Sequence, residues 1–401
     1  TRPRIRLTGP DIWVSLPFKG HYLKTGKGFF WSICDWEERV RKKVFGKTNL
    51  MVTPVAMGGI PIMRLSNKEA VDVVRKVLAM GVNFIDTANG YGDSEEKIGK
   101  ALKERRRQDI VIASKSGASD KKTFLEHVDL SLKRLQTDYI DIYQLHGVNS
   151  KDKIKEVMGP GGAYEGLEES IKEGKVRYPA FSSHHMPEAK KLMLTQKFDV
   201  AQIPFNFIDT EPEKEIIPLA RKMNLGFIAM KPLGGGLLED ATLAFRYLAQ
   251  FSGVVADPGI EKAEEMEEIL RVIEDPRVLS LQEKKKIERI REELGKEFCH
   301  RCDYCLPCPQ GIPISSVLIV KSVVKRMPWE NAVKWMDPAM QKARECTECE
   351  ECLERCPYDL AIPELLKKNI SFWDECKRRA GETLSEKFSK KVRTSSCQAH
   401  Q

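Results

Sequence analysis

Two dense groups of cysteines dominate the chemistry of this sequence. The first runs Cys299-x2-Cys302-x2-Cys305-x2-Cys308-Pro309, and the second Cys346-x2-Cys349-x2-Cys352-x3-Cys356-Pro357. Their first members lie 47 residues apart, and each group is followed by an Ile-Pro pair (Ile312-Pro313 and Ile362-Pro363), so the unit reads as duplicated. The chain holds 11 cysteines. An odd total, so tightly clustered, argues against a disulfide framework and for bound metal in a reducing compartment. A second set of residues is polar. Asp86, Tyr91, Lys115 and His146 stand at or just after the ends of three apolar runs. A phenol with a pKa near 10 needs a cation beside it to act as an acid near pH 7. Such a positioned acid is worth about 10²–10⁴-fold in rate.

The second cysteine group matches the bacterial ferredoxin run C-x2-C-x2-C-x3-C-P in full. The first is one residue short before its last cysteine. Three thiolates at x2 spacing wrap three irons of one cubane, and the fourth, before a proline, reaches the other cluster. On that pattern Cys299, Cys302, Cys305 and Cys356 hold one [4Fe–4S] cluster. Cys346, Cys349, Cys352 and Cys308 hold the second. The alternative is two structural zinc sites of the Cys₄ kind, but those pair C-x2-C knuckles across longer loops. Cys34, Cys376 and Cys397 are left as incidental thiols.

Elements that position the polar residues follow from the pattern of the middle of the chain. β-rich runs fall near Val55–Met57, Asn83–Asp86, Ile110–Ser114, Tyr139–Leu145, Arg177–Ser182, Val200–Pro204, Gly226–Met230 and Gly253–Ala256. Helical patterns lie between them: one from the capping box at Ser66 to Gly81, then Lys122–Leu135, Gly166–Glu173, Pro187–Leu194, Glu213–Met223, Thr242–Gln250 and Lys262–Val272. Eight strands, each followed by a helix-sized segment, are the arithmetic of an α/β chain folded as a (β/α)₈ TIM barrel. A doubly wound open sheet is the alternative, but it more often carries a glycine fingerprint after its first strand, and none stands there. Barrel enzymes keep their chemistry at the C-terminal ends of strands, where the four polar residues lie. Past Ile273 the pattern changes to a charged helix at 281–298, the two cysteine groups, and an amphipathic stretch at 316–336 between them.

The expected organisation is an arm at 1–39, a barrel at 40–280, a small α-rich ferredoxin-like domain at 281–370, and a basic, partly ordered tail at 371–401. The arm reads as poorly ordered, or as translated sequence upstream of a native start near Val40. Charge follows these divisions. The whole chain is +8, yet residues 1–47 carry 11 basic against 4 acidic residues and residues 367–401 carry 9 against 4, so the body between is net acidic. A nucleic-acid binder would place its basic face on the folded domain, so nucleic acid is excluded as the expected partner. No run of 18 apolar residues and no apolar leader are present, so the expectation is a cytoplasmic protein without a membrane span.

With those residues in view, the barrel resembles the aldo-keto reductases. Phe45-Gly-Lys-Thr-Asn-Leu-Met-Val-Thr-Pro54 resembles their opening strands, and Asp86, Tyr91, Lys115 and His146 match their catalytic tetrad. The resemblance covers residues 42–273, and with the cysteine segment the chain is similar to the iron–sulfur group of that superfamily. It implies that Tyr91 protonates a carbonyl oxygen, that Lys115 lowers its pKa, that Asp86 pairs with Lys115, and that His146 orients the carbonyl. It also implies a nicotinamide site. Ser182 and Ser183 end strand five, where Ser-Asn is the commoner pair, and Gln202 on strand six matches a carboxamide ligand. Lys231, Leu233, Gly234 and Gly235 match the loop that cradles the pyrophosphate. Glu265 and Ile269 stand where the superfamily usually has Arg and Asn for the adenosine end. An acidic loop repels a 2′-phosphate, so the expected cofactor is NAD(P)H with the choice between NADH, NADPH and another electron donor left open.

The expected activity is interconversion of a small-molecule carbonyl and its alcohol. Its electrons come from a nicotinamide, from the two [4Fe–4S] clusters, or both. Nicotinamide delivers two electrons and a cubane one, so a splitter such as a flavin, or a redox partner such as ferredoxin, enters the reading. The competing reading is a non-catalytic or electron-transfer subunit with structural or sensory clusters. Substrate and oligomeric state are not legible in the sequence.

Overall fold

The computed structural model describes residues 40–397 apart from 104, 276, 302 and 357, with side chains to residue 380. The arm at 1–39, with Cys34, and the ligand position Cys302 lie outside the described residues. A short hairpin, β1 (Lys43–Val44) with β2 (Met51–Val52), comes first. Eight parallel strands follow in consecutive order: β3 (Met57–Gly58), β4 (Phe84–Asp86), β5 (Val111–Ser116), β6 (Ile140–Leu145), β7 (Val176–Ser182), β8 (Val200–Pro204), β9 (Gly226–Met230) and β10 (Val254–Asp257). Parallel bridges Val55 to Ala256 and Gly58 to Gly259 join the last strand to the first. The sheet is thus closed, and the open doubly wound alternative is excluded.

The hairpin plugs one end of the barrel. Phe45 sits so close over β9 that a Cβ on Gly226 would lie 2.6 Å from its ring, so only glycine fits there. Above Phe45 the inward side chains form one apolar cluster that includes Phe84, Ala113, Ile142, Ala180, Val200 and Val255. Side chains alternate along a strand. Two residues further on, the same inward rows therefore carry Asp86, Lys115, Gln144, Ser182, Gln202 and Asp257, all buried. The apolar layer is a floor and the polar layer lies on it, at the C-terminal ends of the strands.

Helices cover the outside through a larger apolar cluster. Helix Asn67–Ala79 begins at the Ser66/Glu69 capping box. Helix Leu281–Gly295 also leans on the barrel, because Ile287 and Phe298 pack into the barrel's outer cluster. The segment that follows has a separate core around Ile312, Val317, Met340, Leu366 and Trp373. Its last helix runs Ile362–Cys397 without a break. The expected partly ordered tail is instead a continuous helix. Trp373 is fully buried with its indole N–H on Asp337, and Glu375 pairs with Arg378 and Arg379 along the same face. No helix among the described residues is long and apolar enough to cross a membrane.

Candidate active site and cluster ligands

Lys115 occupies the middle of the polar layer. Its ammonium donates to Asp86 Oδ2 and, at 2.7 Å, to the Thr87 carbonyl. Burial pushes that ammonium's pKa down, but Asp86 more than offsets it and the net shift is upward. Gln144 Nε2 donates to the other Asp86 oxygen at 3.2 Å. Tyr91 comes from the turn after β4. This turn is pinned where Tyr91 N–H reaches Ala88 O, and where Ser94 bonds both Thr87 Oγ1 and Gly59 O. The Tyr91 ring lies 5.3 Å from Lys115 Nζ and meets the His146 ring edge-on, centroids 5.9 Å apart. The four residues singled out in the sequence are therefore brought to one place.

Lys115 pulls the Tyr91 phenol down, as expected, but does not decide its net shift. The Tyr91 phenol is raised above its ordinary value, because burial outweighs the downward pull of Lys115, and Asp86 and Asp257 push it up further. It stays a proton donor well above neutrality. Burial, Lys115 and Arg301 hold the His146 imidazole down at about 3, so it is neutral and its ring N–H serves as a hydrogen-bond donor.

Asp257 was not anticipated. The sequence reading ended strand eight at Ala256, one residue early, although Asp257 obeys the same strand-end rule as Asp86. Burial and the nearby Asp86 carboxylate raise its carboxyl well above the usual range. One oxygen accepts from Gln202 Nε2 at 2.9 Å, and the other is buried without a partner. With both carboxyls in the field of one lysine, the second is the one whose charged form is disfavoured.

Residues expected to hold a nicotinamide are arranged differently. Ser182 Oγ accepts the Gly147 N–H at 2.9 Å, and Ser183 Oγ donates to the Val148 carbonyl at 2.8 Å. Both hydroxyls thus hold the loop after β6 against β7. Gln202 keeps an unpartnered buried Oε1 over the layer. In the loop after β9, Lys231, Gly234, Gly235 and Gly236 all have positive φ, and Leu233 packs on the outer barrel core. Helix Val320–Arg326 of the cysteine segment lies on this loop. Ser322 Oγ donates to the Gly235 carbonyl at 2.9 Å, and Lys325 Nζ bonds the Gly236 carbonyl. A Cβ on Gly235 would stand 2.3 Å from Ser322 Oγ. Farther along, Arg64 bridges the Lys325 carbonyl and Glu261. Glu265 is spent capping its own helix through the Glu261 and Lys262 N–H groups, and Ile269 is in the core. A dinucleotide does not fit this cradle: its glycine backbone is covered by protein.

The cysteines surround two hollows. One is lined by Cys299, Cys305 and Cys356 with Tyr358 and Ile362. The other is lined by Cys308, Cys346, Cys349 and Cys352, and Cys305 lines both. Each hollow thus mixes cysteines from both groups. Among the described residues no three thiols or carboxylates converge on a point as the ligands of a single metal ion do. This donor set, soft thiolates around a hollow, fits a cubane cluster. The cysteine segment is fastened to the barrel mouth near the first hollow. His300 Nδ1 bonds Asp209 at 2.7 Å and its ring stacks on Tyr358, whose hydroxyl reaches Glu211 at 3.1 Å. Arg301 reaches His184 Nε2 at 3.3 Å.

Comparison with known proteins agrees with this geometry. The family model described as "Aldo/keto reductase family" matches residues 54–244, and that described as "4Fe-4S dicluster domain" matches residues 298–361. The Bacillus subtilis oxidoreductase YqkF is 32% identical over 218 residues, covering 51% of this chain and 68% of its own. The chain belongs to the aldo/keto reductase family. The aldo-keto reductase YhdN of the same organism is 32% identical over 196 residues, 46% of this chain and 57% of its own. Among solved structures, the holo form of a Bacillus halodurans aldo-keto reductase superposes with a TM-score of 0.54 at 26% identity, over 63% of this chain and 96% of that one. A Klebsiella pneumoniae aldo-keto reductase solved with NADPH has a TM-score of 0.54 at 23% identity, over 63% of this chain and 95% of that one, a likeness of fold. This aldo/keto reductase thus carries its 4Fe-4S segment where its own β9 loop would otherwise be open.

Proposed function

We propose that the protein is an oxidoreductase interconverting a small carbonyl compound and its alcohol, with Asp86, Tyr91, Lys115 and His146 as its site. The observation that carries this reading is the buried Lys115, fixed between Asp86 and the Thr87 carbonyl with the Tyr91 ring beside it. The neutral His146 N–H orients the carbonyl oxygen, and Tyr91 Oη gives it a proton. Reduction by two electrons takes a second proton, to carbon. Asp257 is the other side chain of the layer that keeps one.

Cys299, Cys302, Cys305 and Cys356 would hold one [4Fe–4S] cluster, and Cys308, Cys346, Cys349 and Cys352 the other. Bound there, the clusters supply electrons one at a time, drawn from a ferredoxin or another external donor. Ser182, Ser183, Gln202 and the Lys231–Gly235 loop are then read as parts of the substrate chamber and its seal, and no nicotinamide step is assigned to them.

The test is anaerobic purification followed by visible spectra. Iron and sulfide at about eight each per chain are expected. Dithionite should bleach the brown colour, NADH and NADPH should not, and a carbonyl substrate should restore it. Bleaching by NADPH would overturn the assigned electron source. Reoxidation indifferent to any carbonyl, and unchanged in Tyr91→Phe, would leave an electron-transfer subunit.

A further inference from the structure

Three cations converge where the cysteine segment meets the barrel, and no step of the proposed reaction uses their charge. Lys231 comes from the loop after β9, Arg301 from the first cysteine group, and Arg326 from the end of helix Val320–Arg326. All three line one cavity of about 110 Å³. The Arg326 guanidinium lies over Gly235, where a Cβ would come within 3.5 Å of its Cζ. Tyr91 and His146 are not among the residues that line this cavity, but the Arg326 charge acts on the Tyr91 phenol and the Arg301 charge on the His146 imidazole.

None of the three makes an ion pair among the described residues. Arg326 bonds only the Ser322 carbonyl of its own helix, through Nε. Arg301 touches the neutral ring of His184. Asp209, the carboxylate whose charge reaches Lys231, is already held by His300 and Asn206. Three half-buried positive charges facing one another cost stability unless an anion joins them. Two are arginines, whose planar forks suit the paired oxygens of a carboxylate or phosphate.

We infer that the substrate is an anionic carbonyl compound, with a carboxylate or phosphate group seated between Arg301, Arg326 and Lys231 and its carbonyl turned toward Tyr91 and His146. The inference rests on the carbonyl chemistry proposed above and adds the class of substrate. It also makes the cysteine segment a builder of the substrate site, because two of the three anion ligands belong to it.

Oxalate is the probe, being a small dianion that resists reduction, with neutral oxamide as control. Titration calorimetry is run on the anaerobically purified holoprotein. Oxalate should bind, and more weakly at higher salt, whereas oxamide should not. Arg326→Gln should weaken oxalate about tenfold or more, and Arg326→Lys should recover part of that. In turnover, glyoxylate should be preferred to the neutral methylglyoxal, and the preference should shrink in Arg326→Gln. Tyr91→Phe separates the two ideas. It should abolish turnover and leave oxalate binding intact. Binding without turnover of any carbonyl compound would sink the proposed reaction and keep the anion site. Absence of oxalate binding to the iron-loaded protein, or binding indifferent to Arg326→Gln, would overturn the inference. The cations would then answer the charge of the thiolate-bound cluster beside Cys299.

Discussion

At the scale of residues, the buried pair Lys115–Asp86 is where stability and activity meet. Both side chains are about 3% exposed. Lys115→Met leaves Asp86 without its partner, which costs about 3–5 kcal/mol for a buried pair. It also removes the charge beside Tyr91, and turnover should fall about 10²–10⁴-fold. Adding Asp86→Asn should restore most of the stability and none of the rate. Urea unfolding and turnover of the single and double variants check this. The pH profile is the second prediction. Tyr91 acts protonated, and burial has raised its pKa, so the proton is kept as pH rises through neutrality. His146, at about 3, does not titrate in that range. Carbonyl reduction should therefore decline only on the alkaline side, as Asp257, raised well above the usual carboxyl range, or the Tyr91 phenol loses its proton. An alkaline limb near pH 7 that moves upward in the residual activity of Lys115→Met would show that Lys115, and not burial, governs the phenol.

At the scale of elements, two contacts set how the outer segments sit on the barrel. Helix Leu281–Gly295 is held by Glu283. Burial pushes that carboxyl up, but bonds from the Ser280 N–H and hydroxyl, Arg277 and Arg246 outweigh it and bring it down to about 2. A carboxyl lowered by folding adds stability above its unfolded pKa, and that stability is lost as pH falls toward the folded value. Between pH 4.5 and about 2, the protein should lose about 1–2 kcal/mol on this account, allowing for solvent screening. Glu283→Gln should already lack it at pH 7. Thermal unfolding against pH distinguishes the two. The Gly235 contact is steric. With φ at 71° and Ser322 Oγ in the way, Gly235→Ala should force helix Val320–Arg326 off the loop at a cost of about 1–3 kcal/mol. Faster proteolysis near residue 320 and a lower unfolding temperature would report it.

The sequence told apart the elements it could encode locally. Strand rows are legible because the inward positions alternate without interruption from Phe84 to Asp86 and from Val200 to Gln202. The tetrad was legible because each member ends such a row. Arg301 and Arg326 were not, since a charged residue in a cysteine loop or at a helix end looks like solvated surface until the partner surface is known. The role of Ser183 was hidden for the same reason. Its bonds run to Val148 and Asn149, about 35 residues away, and no local pattern announces them.

At the scale of the whole molecule, the chain is two cores joined at the barrel mouth, and they depend on metal unequally. The barrel buries its apolar surface in an outer shell and an inner floor, to which the following segment adds only Ile287, Ile290, Leu294 and Phe298. The cysteine segment has one small core whose rim is made of its own thiols, among them Cys299, Cys308, Cys352 and Cys356. A core of that size leans on metal for stability. Anaerobic iron chelation should therefore melt the segment in a separate, lower transition while the barrel's transition stays. The crossed arrangement of the hollows sharpens this. Each group of four sends its last cysteine to the other group's hollow. Cys308→Ser should thus disturb the same cluster as Cys349→Ser, and Cys356→Ser the same one as Cys299→Ser, each variant retaining about half of the iron. Electron paramagnetic resonance of the reduced variants reads which signal is lost. Should Cys308→Ser fall instead with Cys299→Ser, each group would serve its own cluster. The two halves of the segment would then fold independently of one another, and the first cluster would reach the barrel mouth through ties that include His300 to Asp209, Arg301 to His184, Ser322 to Gly235 and Tyr358 to Glu211.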